Sequence, residues 1–261
     1  MPIITLTTDF GTRDGYVGAV KGVITRVVRE HVVGREWSSA KIVDIAHDMP
    51  PQDIARARLT VSRYWRRFPA GTVHLVVVDP GVGTRRAALA VESDGRFLVG
   101  PDNGVLSPGI TLRESTVVEL DVPGGASATF HGRDVFAPAA ARLACGEPIS
   151  ILGRRHRSSV IMHTPVAVRG EGGTVSGEVI SLDRFGNAIT NIEDFGGGSI
   201  TVAGWVIPIV RTFADVTVGA SCALVGSAGL LEVAVRDGSA AKILKLKVGV
   251  PVEAVPAPSP L

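Results

Sequence analysis

A carboxylate and a guanidinium lie close together in one stretch of this 261-residue sequence. Residues 73–78 are apolar and β-branched with a single interruption, and they end abruptly at the Asp-Pro-Gly sequence of residues 79–81. This pattern predicts a buried strand followed by a tight turn. Asp79 would then lie at the carboxyl end of a core strand, with Arg86 seven residues later. In open α/β sheets ligands bind at that end, so the pair could belong to a site. Alternatively, Asp79 only caps the turn and Arg86 is solvated.

Two further carboxylates belong to the first polar loop. Residues 3–7 are β-rich and stop at a loop that contains Asp9 and Asp14. Valine and isoleucine then recur at helical spacing, which predicts an amphipathic helix over residues 15–29. Two carboxylates at a strand end and a helix start could hold hydroxyls or an ammonium group. Asp14 could instead serve only as a favourable charge at the helix N-terminus.

Two other polar loops carry side chains of interest. The loop 128–136 places His131 beside aromatic residues, although a lone histidine is more often structural than catalytic. The loop 181–187 contains Phe185 and Asn187, whose amide offers both a donor and an acceptor to a base edge. Its Asp, Gly and Asn residues also favour an ordinary turn. The small-residue loop 226–229 is equally ambiguous.

The elements that must position these loops change in character near residue 160. Strands are predicted at 3–7, 41–46, 73–78, 87–91, 97–99 and 115–120, with helices at 15–29, 54–68 and an alanine-rich segment before Cys145. Residues 29–40 are expected to form a surface loop. Alternating strands and helices predict an α/β N-terminal domain with a central, mostly parallel sheet.

The remainder of the chain is predicted to be all β. Strands are expected at 166–168, 174–180, 189–192, 199–202, 205–210, 222–225, 230–235 and 245–250. This pattern predicts a second, all-β domain, either a small barrel or a sandwich. We therefore expect domains at 1–160 and 161–261, a polar linker at 153–159, and a disordered proline-rich tail from residue 251.

Composition excludes several classes of function. The chain is 45% hydrophobic and 20% charged, with a net charge of +2 and no basic block, so nucleic acid is not an expected partner. Cys145 and Cys222 show no metal-ligand spacing and are expected to be reduced thiols of a cytoplasmic protein. The N-terminus has no signal-peptide pattern, and no apolar run reaches the roughly 18 residues of a membrane helix.

Six short motifs, taken in order, carry a resemblance. They are Thr-Asp-Phe-Gly at 8–11, Val-Asp-Ile-Ala-His at 43–47, Asp-Pro-Gly-Val-Gly-Thr at 79–84, Pro-Asp-Asn-Gly at 101–104, Phe-His-Gly-Arg-Asp at 130–134 and Asp-Arg-Phe-Gly-Asn at 183–187. Together they resemble the S-adenosyl-L-methionine hydrolase (hydroxide adenosyltransferase) family, which is related to enzymes that fluorinate or chlorinate the same substrate. The resemblance extends from Ile3 to about Lys247.

The resemblance implies an α/β domain followed by a β-barrel domain. It also implies a homotrimer whose active sites lie between the N-domain of one subunit and the C-domain of its neighbour. The implied catalytic set, which positions or activates water, is Asp79, Arg86 and His131. No metal and no cofactor are implied, since S-adenosyl-L-methionine is the substrate.

The resemblance also assigns binding roles. Asp9 would hold the ribose hydroxyls, and Asp14 and Asp183 would face the methionine ammonium group. Asn187 would recognise the adenine edge. The remaining substrate-binding residues are implied to be Phe185, Phe213, Ser227, Val235 and Asp237. The chain departs from some halogenases at Ala228, where they place an arginine that binds the methionine carboxylate.

The expected reaction is hydrolysis of S-adenosyl-L-methionine to adenosine and L-methionine, by in-line attack of water on the 5′-carbon. Asp79 favours this reaction over halogenation, because a carboxylate repels a halide ion. Two alternatives stay open, namely halide-dependent adenosyl transfer to a 5′-halo-5′-deoxyadenosine and adenosine binding without turnover.

Overall fold

A computed structural model of the chain describes residues 1–31, 39–193 and 195–257. The chain divides into two compact units, of which the first spans Met1–Met162 and the second begins at His163. Most of the surface loop expected at 29–40 lies outside the described residues, and its first three residues continue the first helix.

The first unit alternates strands and helices. Its strands are β1 (Ile3–Thr8), β2 (Lys41–Ala46), β3 (Val73–Val77), β4 (Ala88–Ser93), β5 (Arg96–Pro101), β6 (Thr116–Leu120) and β7 (Gly153–Arg155). Its α-helices are α1 (Tyr16–His31), α2 (Ile54–Tyr64), α3 (Ser107–Ile110) and α4 (Ala137–Ala144). Short 3-10 turns follow at Trp65–Arg67 and Ile149–Ile151, and a π-helical turn spans Gly132–Phe136.

One seven-stranded sheet organises this unit, in the order β2-β1-β3-β5-β4-β6-β7. The pairs β1–β2, β1–β3 and β3–β5 are parallel, whereas β4–β5, β4–β6 and β6–β7 are antiparallel. The predicted α/β fold is confirmed, with a sheet that is mixed rather than mostly parallel. Thr8 of β1 lies opposite Val77 of β3, so the loops after these strands leave the same edge.

The continuous apolar run of β3 reflects burial on both faces of the sheet. Val73, Leu75 and Val77 pack in the core formed with α1 and α4. Val76 and Val78 point to the opposite core, beneath α2 and Trp65. Helix α2 begins where it does because the Asp53 carboxylate accepts a hydrogen bond from the Arg56 amide at 2.9 Å.

The expected linker at 153–159 is wrong at its start, because Gly153–Arg155 forms β7 and pairs with β6. The polar sequence concealed this strand, since an exposed antiparallel edge needs no apolar face. Gly153 allows the close pairing, because a Cβ there would lie 1.9 Å from the Glu119 carbonyl oxygen.

The second unit is almost entirely β. Its strands are β8 (Val168–Arg169), β9 (Val175–Leu182), β10 (Ala188–Glu193), β11 (Ser199–Val202), β12 (Trp205–Pro208), β13 (Ser221–Val225), β14 (Leu230–Val235) and β15 (Pro251–Val255). One short helix, α5 (Ala240–Ile243), and 3-10 turns at Glu171–Gly173 and Phe213–Asp215 complete its described elements.

These strands form a nearly closed antiparallel barrel, as the resemblance implied, and not a sandwich. The sheet order is β12-β11-β15-β9-β10-β14-β13, with β8 paired to β9. The two ends of this order meet where the Val210 amide donates to the Ala223 carbonyl at 2.8 Å. The core includes Val179, Ile192 and Ile200.

Two predictions near the C-terminus are corrected. No strand forms at 245–250, where Lys245 and Gly249 take the positive φ angles of turns. The expected disordered tail from residue 251 instead begins with β15, which pairs with β11 and β9. The four prolines of residues 251–261 obscured the alternation of buried and exposed side chains in β15, where Val252 and Ala254 are buried. Pro251 is tolerated because it is the first residue of the strand. Residues 258–261 lie outside the described residues.

None of the described helices is long and apolar enough to span a membrane.

One residue of β3 is a buried histidine. His74 is fully buried, and its Nδ1 lies 2.8 Å from the Thr5 hydroxyl. The rings of Tyr64 and Phe68 meet it edge-on, with centroids 5.5 Å and 5.6 Å away. Burial lowers the pKa of His74 from 6.5 to about 4, with a smaller contribution from Arg96.

Folding stability should therefore fall in mild acid through His74. Because its folded-state pKa is depressed, protonation favours the unfolded chain, and stability is lost as the pH falls from about 6.5 toward 4. Between pH 7 and pH 4.5 the loss should be about 2 kcal/mol. Urea unfolding of His74→Asn should show that much less pH dependence than the wild type, whereas His163→Asn, at an exposed histidine, should not. An unchanged pH slope in His74→Asn would remove His74 as the cause.

Candidate active site

Adjacent parallel strands bring the first two candidate carboxylates to one edge of the sheet. Asp9 follows β1 directly, and Asp79 follows β3 after one further residue. Because β1 and β3 are neighbours in register, the two loops start side by side. The structure therefore places both carboxylates at the carboxyl end of the parallel strands, where α/β sheets bind ligands.

Arg86 clamps Asp79 in a two-pronged ion pair. Its Nε donates to Asp79 Oδ1 at 2.9 Å, and its Nη2 donates to Asp79 Oδ2. Only 9% of the Arg86 side chain and 5% of the Asp79 side chain are exposed. The guanidinium also lies over the Phe136 ring, 5.2 Å from its centroid. A nearly buried pair needs this fork geometry, because each charge has lost most of its hydration.

The same guanidinium reaches His131, 45 residues further along the chain. Arg86 Nη2 lies 3.0 Å from His131 Nδ1. A guanidinium has no acceptor, so Nδ1 must accept this hydrogen bond and the ring proton must be on Nε2. Burial lowers the pKa of His131, and the adjacent Arg86 lowers it further, against weaker opposing effects of Asp79 and Asp134. The site therefore holds a neutral imidazole.

Two local features bring His131 to Arg86. Gly83, at φ +76°, approaches the Ala128 carbonyl so closely that a Cβ would lie 2.4 Å from its oxygen. The turn after Asp79 thus packs directly on the loop that carries His131. That loop then enters the π-helical turn, in which the Ala137 amide donates to the Gly132 carbonyl. Such widened turns are frequent at functional sites.

A second ion pair fixes the same loop from its outer side. Asp134 Oδ2 accepts a hydrogen bond from the Ser127 amide at 2.9 Å. Arg133 grips the Asp134 carboxylate with two nitrogens and also lies over the Phe130 ring. Residues 127–134 are therefore cross-linked by their own hydrogen bonds, which restrict the positions that His131 can take.

A cavity of about 160 Å³ joins these groups. It is lined by Asp9, Phe10, Gln52, Val77, Asp79, Pro80, Val82, Thr129, Phe130, His131 and Gly132. Asp9, Asp79 and His131 thus share one cavity, with Arg86 behind the last two. Asp14 does not line it and is exposed in the turn before α1.

Two aromatic rings, Phe10 and Phe130, line the cavity and a third, Tyr16, packs against both; sequence reasoning missed their role. Phe10, Tyr16 and Phe130 meet edge-to-face with centroids 5.3–6.1 Å apart. Gln52 was missed as well. The backbone amide of Gln52 donates to Asp9 Oδ2 at 2.8 Å, and the Gln52 φ of +67° is unusual for a residue other than glycine. The aromatic residues adjoin the predicted loops, whereas Gln52 carries no signal beyond its place after two prolines.

The candidates in the second unit begin with the β9–β10 turn. Asp183 Oδ1 accepts a hydrogen bond from the backbone amide of Asn187 at 2.8 Å, and Asp183 Oδ2 accepts one from the side-chain Nδ2 of Asn187 at 2.9 Å. The turn that its composition favours is therefore formed, with Asn187 buried and Phe185 77% exposed. Gly186 lies against Ser239, since a Cβ there would be 2.0 Å from the Ser239 hydroxyl oxygen.

The β9–β10 turn contacts the segments that carry most of the other candidate substrate-binding residues of the second unit. The Gly186 carbonyl accepts from the Ala241 amide at 2.8 Å, which joins the turn to the segment after Val235 and Asp237. Arg236, between these two residues, donates to the Val216 carbonyl at 2.7 Å and so holds the short 3-10 turn that carries Phe213. Hydrogen bonds therefore join the neighbouring segments that carry five of the candidates, namely Asp183, Asn187, Phe213, Val235 and Asp237.

Ser227 is not grouped with them. It lies in the exposed turn before β14, whereas Val235 ends that strand. The rise of an extended strand separates its two ends by about 17 Å. Among the described residues, no three His, Cys, Asp or Glu side chains are grouped so as to hold a metal ion.

Comparison with known proteins supplies independent evidence. The family model for the SAM hydroxide adenosyltransferase N-terminal domain matches residues 4–153, and the model for the C-terminal domain matches residues 177–253. SAM denotes S-adenosyl-L-methionine. The (R)-S-adenosyl-L-methionine hydrolase of Thermus thermophilus is 44% identical over 94% of this chain and 96% of its own length. A protein named fluorinase, from Actinopolyspora mzabensis, is 29% identical over 96% of both chains.

Solved structures agree with the sequence matches. A conserved protein from Thermotoga maritima superposes with a TM-score of 0.85 at 34% identity, covering 97% of this chain and 99% of its own. A conserved protein from Thermus thermophilus gives a TM-score of 0.79 at 41% identity, covering 98% of this chain and 100% of its own. With both domain models matched and relatives similar along nearly the whole length, this chain belongs to the SAM hydroxide adenosyltransferase family.

Proposed function

We propose that the protein hydrolyses SAM to adenosine and L-methionine by in-line attack of water on the 5′-carbon of the ribose. The observation that carries this proposal is the contact of Arg86 with both Asp79 and His131, beside a cavity that Asp9 also lines. The names of relatives at 35–44% identity support the same reaction.

The substrate supplies a good leaving group but requires an activated nucleophile. Attack forms a C5′–O bond and breaks the C5′–S bond, whose electron pair converts the sulfonium into the neutral thioether of methionine. Free water is a weak nucleophile, with a pKa of about 15.7. The protein must therefore orient one water molecule, receive its proton and keep other water out.

Asp79 is the proton acceptor that this geometry favours. His131 uses its only lone pair, on Nδ1, to accept from Arg86. Its Nε2–H can donate to the oxygen of a water molecule but cannot take a proton from it. Asp79 keeps lone pairs beyond those that Arg86 uses. In this mechanism His131 orients the water, Asp79 removes its proton, and Arg86 holds the Asp79 carboxylate in place through its two hydrogen bonds.

Substrate recognition is proposed along the lines of the resemblance. Asp9 binds the ribose hydroxyls, and the carboxylates of Asp14 and Asp183 face the ammonium group. Asn187 recognises adenine through its side-chain oxygen and the second hydrogen of Nδ2, since the first donates to Asp183. The other proposed contacts are the side chains of Phe185, Phe213 and Ser227 and the backbone of Val235 and Asp237.

We also propose a homotrimer in which the C-terminal domain of one subunit completes the site of its neighbour, and a cytoplasmic location. Large apolar side chains exposed in the second unit support the assembly, among them Phe185, Trp205 and Val206 at 77%, 55% and 72% exposure. The two cysteines are buried thiols, as suits a reducing compartment.

The source of the new hydroxyl group tests the reaction directly. In water enriched in ¹⁸O, the heavy oxygen should appear in the 5′-hydroxyl of adenosine and not in methionine, as mass spectrometry would show. With chloride or fluoride present, adenosine should remain the product. A 5′-halo-5′-deoxyadenosine would instead establish halide transfer, and adenosine binding without any methionine release would establish a binding protein.

The role of Asp79 should separate turnover from binding. Asp79→Asn keeps the shape of the side chain but cannot hold the proton, so kcat should fall by roughly 10² or more. Calorimetric binding of adenosine should change little, which also shows that the variant is folded. Arg86→Gln should lose activity, whereas Arg85→Gln, at the exposed neighbouring position, should not. Wild-type turnover by Asp79→Asn would exclude Asp79 as the acceptor.

Subunit mixing tests the proposed assembly. Asp79→Asn and Asn187→Ala should each be nearly inactive, for loss of chemistry and loss of binding. If a site combines domains from two subunits, unfolding and refolding the two variants together should restore part of the activity, since some mixed trimers contain an intact site. Refolding each variant alone provides the control. A monomer by light scattering, or no recovery in verified mixed trimers, would contradict shared sites.

A further inference from the structure

His47 is a buried histidine that the proposed mechanism does not use. It follows β2 directly, belongs to one of the six motifs, and is 7% exposed. Its ring bridges two elements, because Nδ1 lies 2.9 Å from the Thr8 hydroxyl and Nε2 lies 3.0 Å from Asp44 Oδ1. Lys21 of α1 donates to the other oxygen of Asp44 at 2.6 Å. Four side chains thus form one chain of hydrogen bonds.

The direction of this chain follows from its outer end. The Asp44 carboxylate only accepts, so His47 Nε2 donates to it; in the tautomer with its proton on Nε2, Nδ1 accepts from the Thr8 hydroxyl. Thr8 Oγ1 then accepts from the amide of Phe10 at 3.4 Å. Burial alone would raise the pKa of Asp44, but hydrogen bonds from Lys21 and His47 outweigh it and hold the pKa below its usual value. The accepting end of the chain is therefore a stable carboxylate.

These contacts lie on both sides of Asp9. Thr8 precedes it, and the Gly11 amide, two residues after it, donates to the His47 carbonyl at 2.7 Å. Asp9 itself accepts from the Gln52 amide at 2.8 Å. The backbone around Asp9 is thus held by His47, and one carboxylate oxygen of Asp9 is held by Gln52 of the same loop between β2 and α2.

We propose that Lys21, Asp44, His47 and Thr8 are positioning residues that orient Asp9 toward the ribose hydroxyls. The proposal rests on the proposed function, since it assigns Asp9 a diol to bind. None of the four side chains lines the cavity. They act on substrate affinity through Asp9 and leave the chemistry at Asp79 unchanged.

The test compares two nucleosides on one conservative variant. Thr8→Val keeps the size and β-branching of the side chain and removes the hydroxyl. Calorimetry should show adenosine binding about tenfold weaker than in the wild type. Binding of 2′,3′-dideoxyadenosine, which lacks the diol, should not change. The KM for SAM should rise by a similar factor while kcat stays within about twofold.

Further variants separate the parts of the chain. His47→Gln keeps a donor near Asp44 but loses Thr8, so it should match Thr8→Val, and adding Thr8→Val to Asp9→Asn should cost nothing more. Lys21→Met should weaken adenosine binding to a smaller degree. Arg26→Met removes a cation from the same helix, where it pairs with Glu30, and should have no effect.

The possible failures are distinguishable. If the wild type releases no adenosine from SAM, the proposed function is wrong and this inference falls with it. If the wild type is active but Thr8→Val binds both nucleosides as the wild type does, only the positioning role is wrong. Equal weakening of both nucleosides would also overturn it, because it would indicate a general structural defect.

Discussion

The site depends on one guanidinium shared between two partners. Arg86 presents one hydrogen of Nη2 to Asp79 and the other to His131, so a single side chain fixes a carboxylate and an imidazole in relation to each other. The sharing also sets protonation, because a cation that donates to Nδ1 excludes a second proton there. The Arg86 and Asp79 side chains are almost completely buried. Because little water reaches them, the hydrogen bonds of Arg86 to Asp79 and His131 are stronger than they would be at the surface.

The fold supports that interaction from the backbone outward. The register of β1 with β3 sets Asp9 and Asp79 side by side before any side chain contributes. The close approach of Gly83 to the Ala128 carbonyl then places the loop that carries His131 beside Asp79 and Arg86. Burial of β3 on both faces makes this base rigid, since its alternate residues belong to two separate cores. The loops that carry Asp9 and Asp79 therefore start from a well-packed sheet.

Sequence reasoning succeeded where a local pattern determines the result. Residues 41–46 and 230–235 were predicted with their observed bounds because apolar periodicity and flanking turns define them. It failed where partners decide, as at Gly153–Arg155, a polar edge strand that exists because β6 is beside it. The tautomer of His131 and the contact of Gln52 with Asp9 could not be predicted, since each depends on a residue distant in the sequence. The roles of the site residues remain predictions.

The position of β15 affects the order in which the molecule can be made. This strand lies between β9 and β11 in the middle of the barrel sheet, although it follows every other described strand along the chain. The α/β unit has all its strands once residue 155 has left the ribosome, so it can acquire structure during translation. The barrel sheet must wait for residues 251–255, and until then the edges of β9 and β11 that pair with β15 have no partner strand.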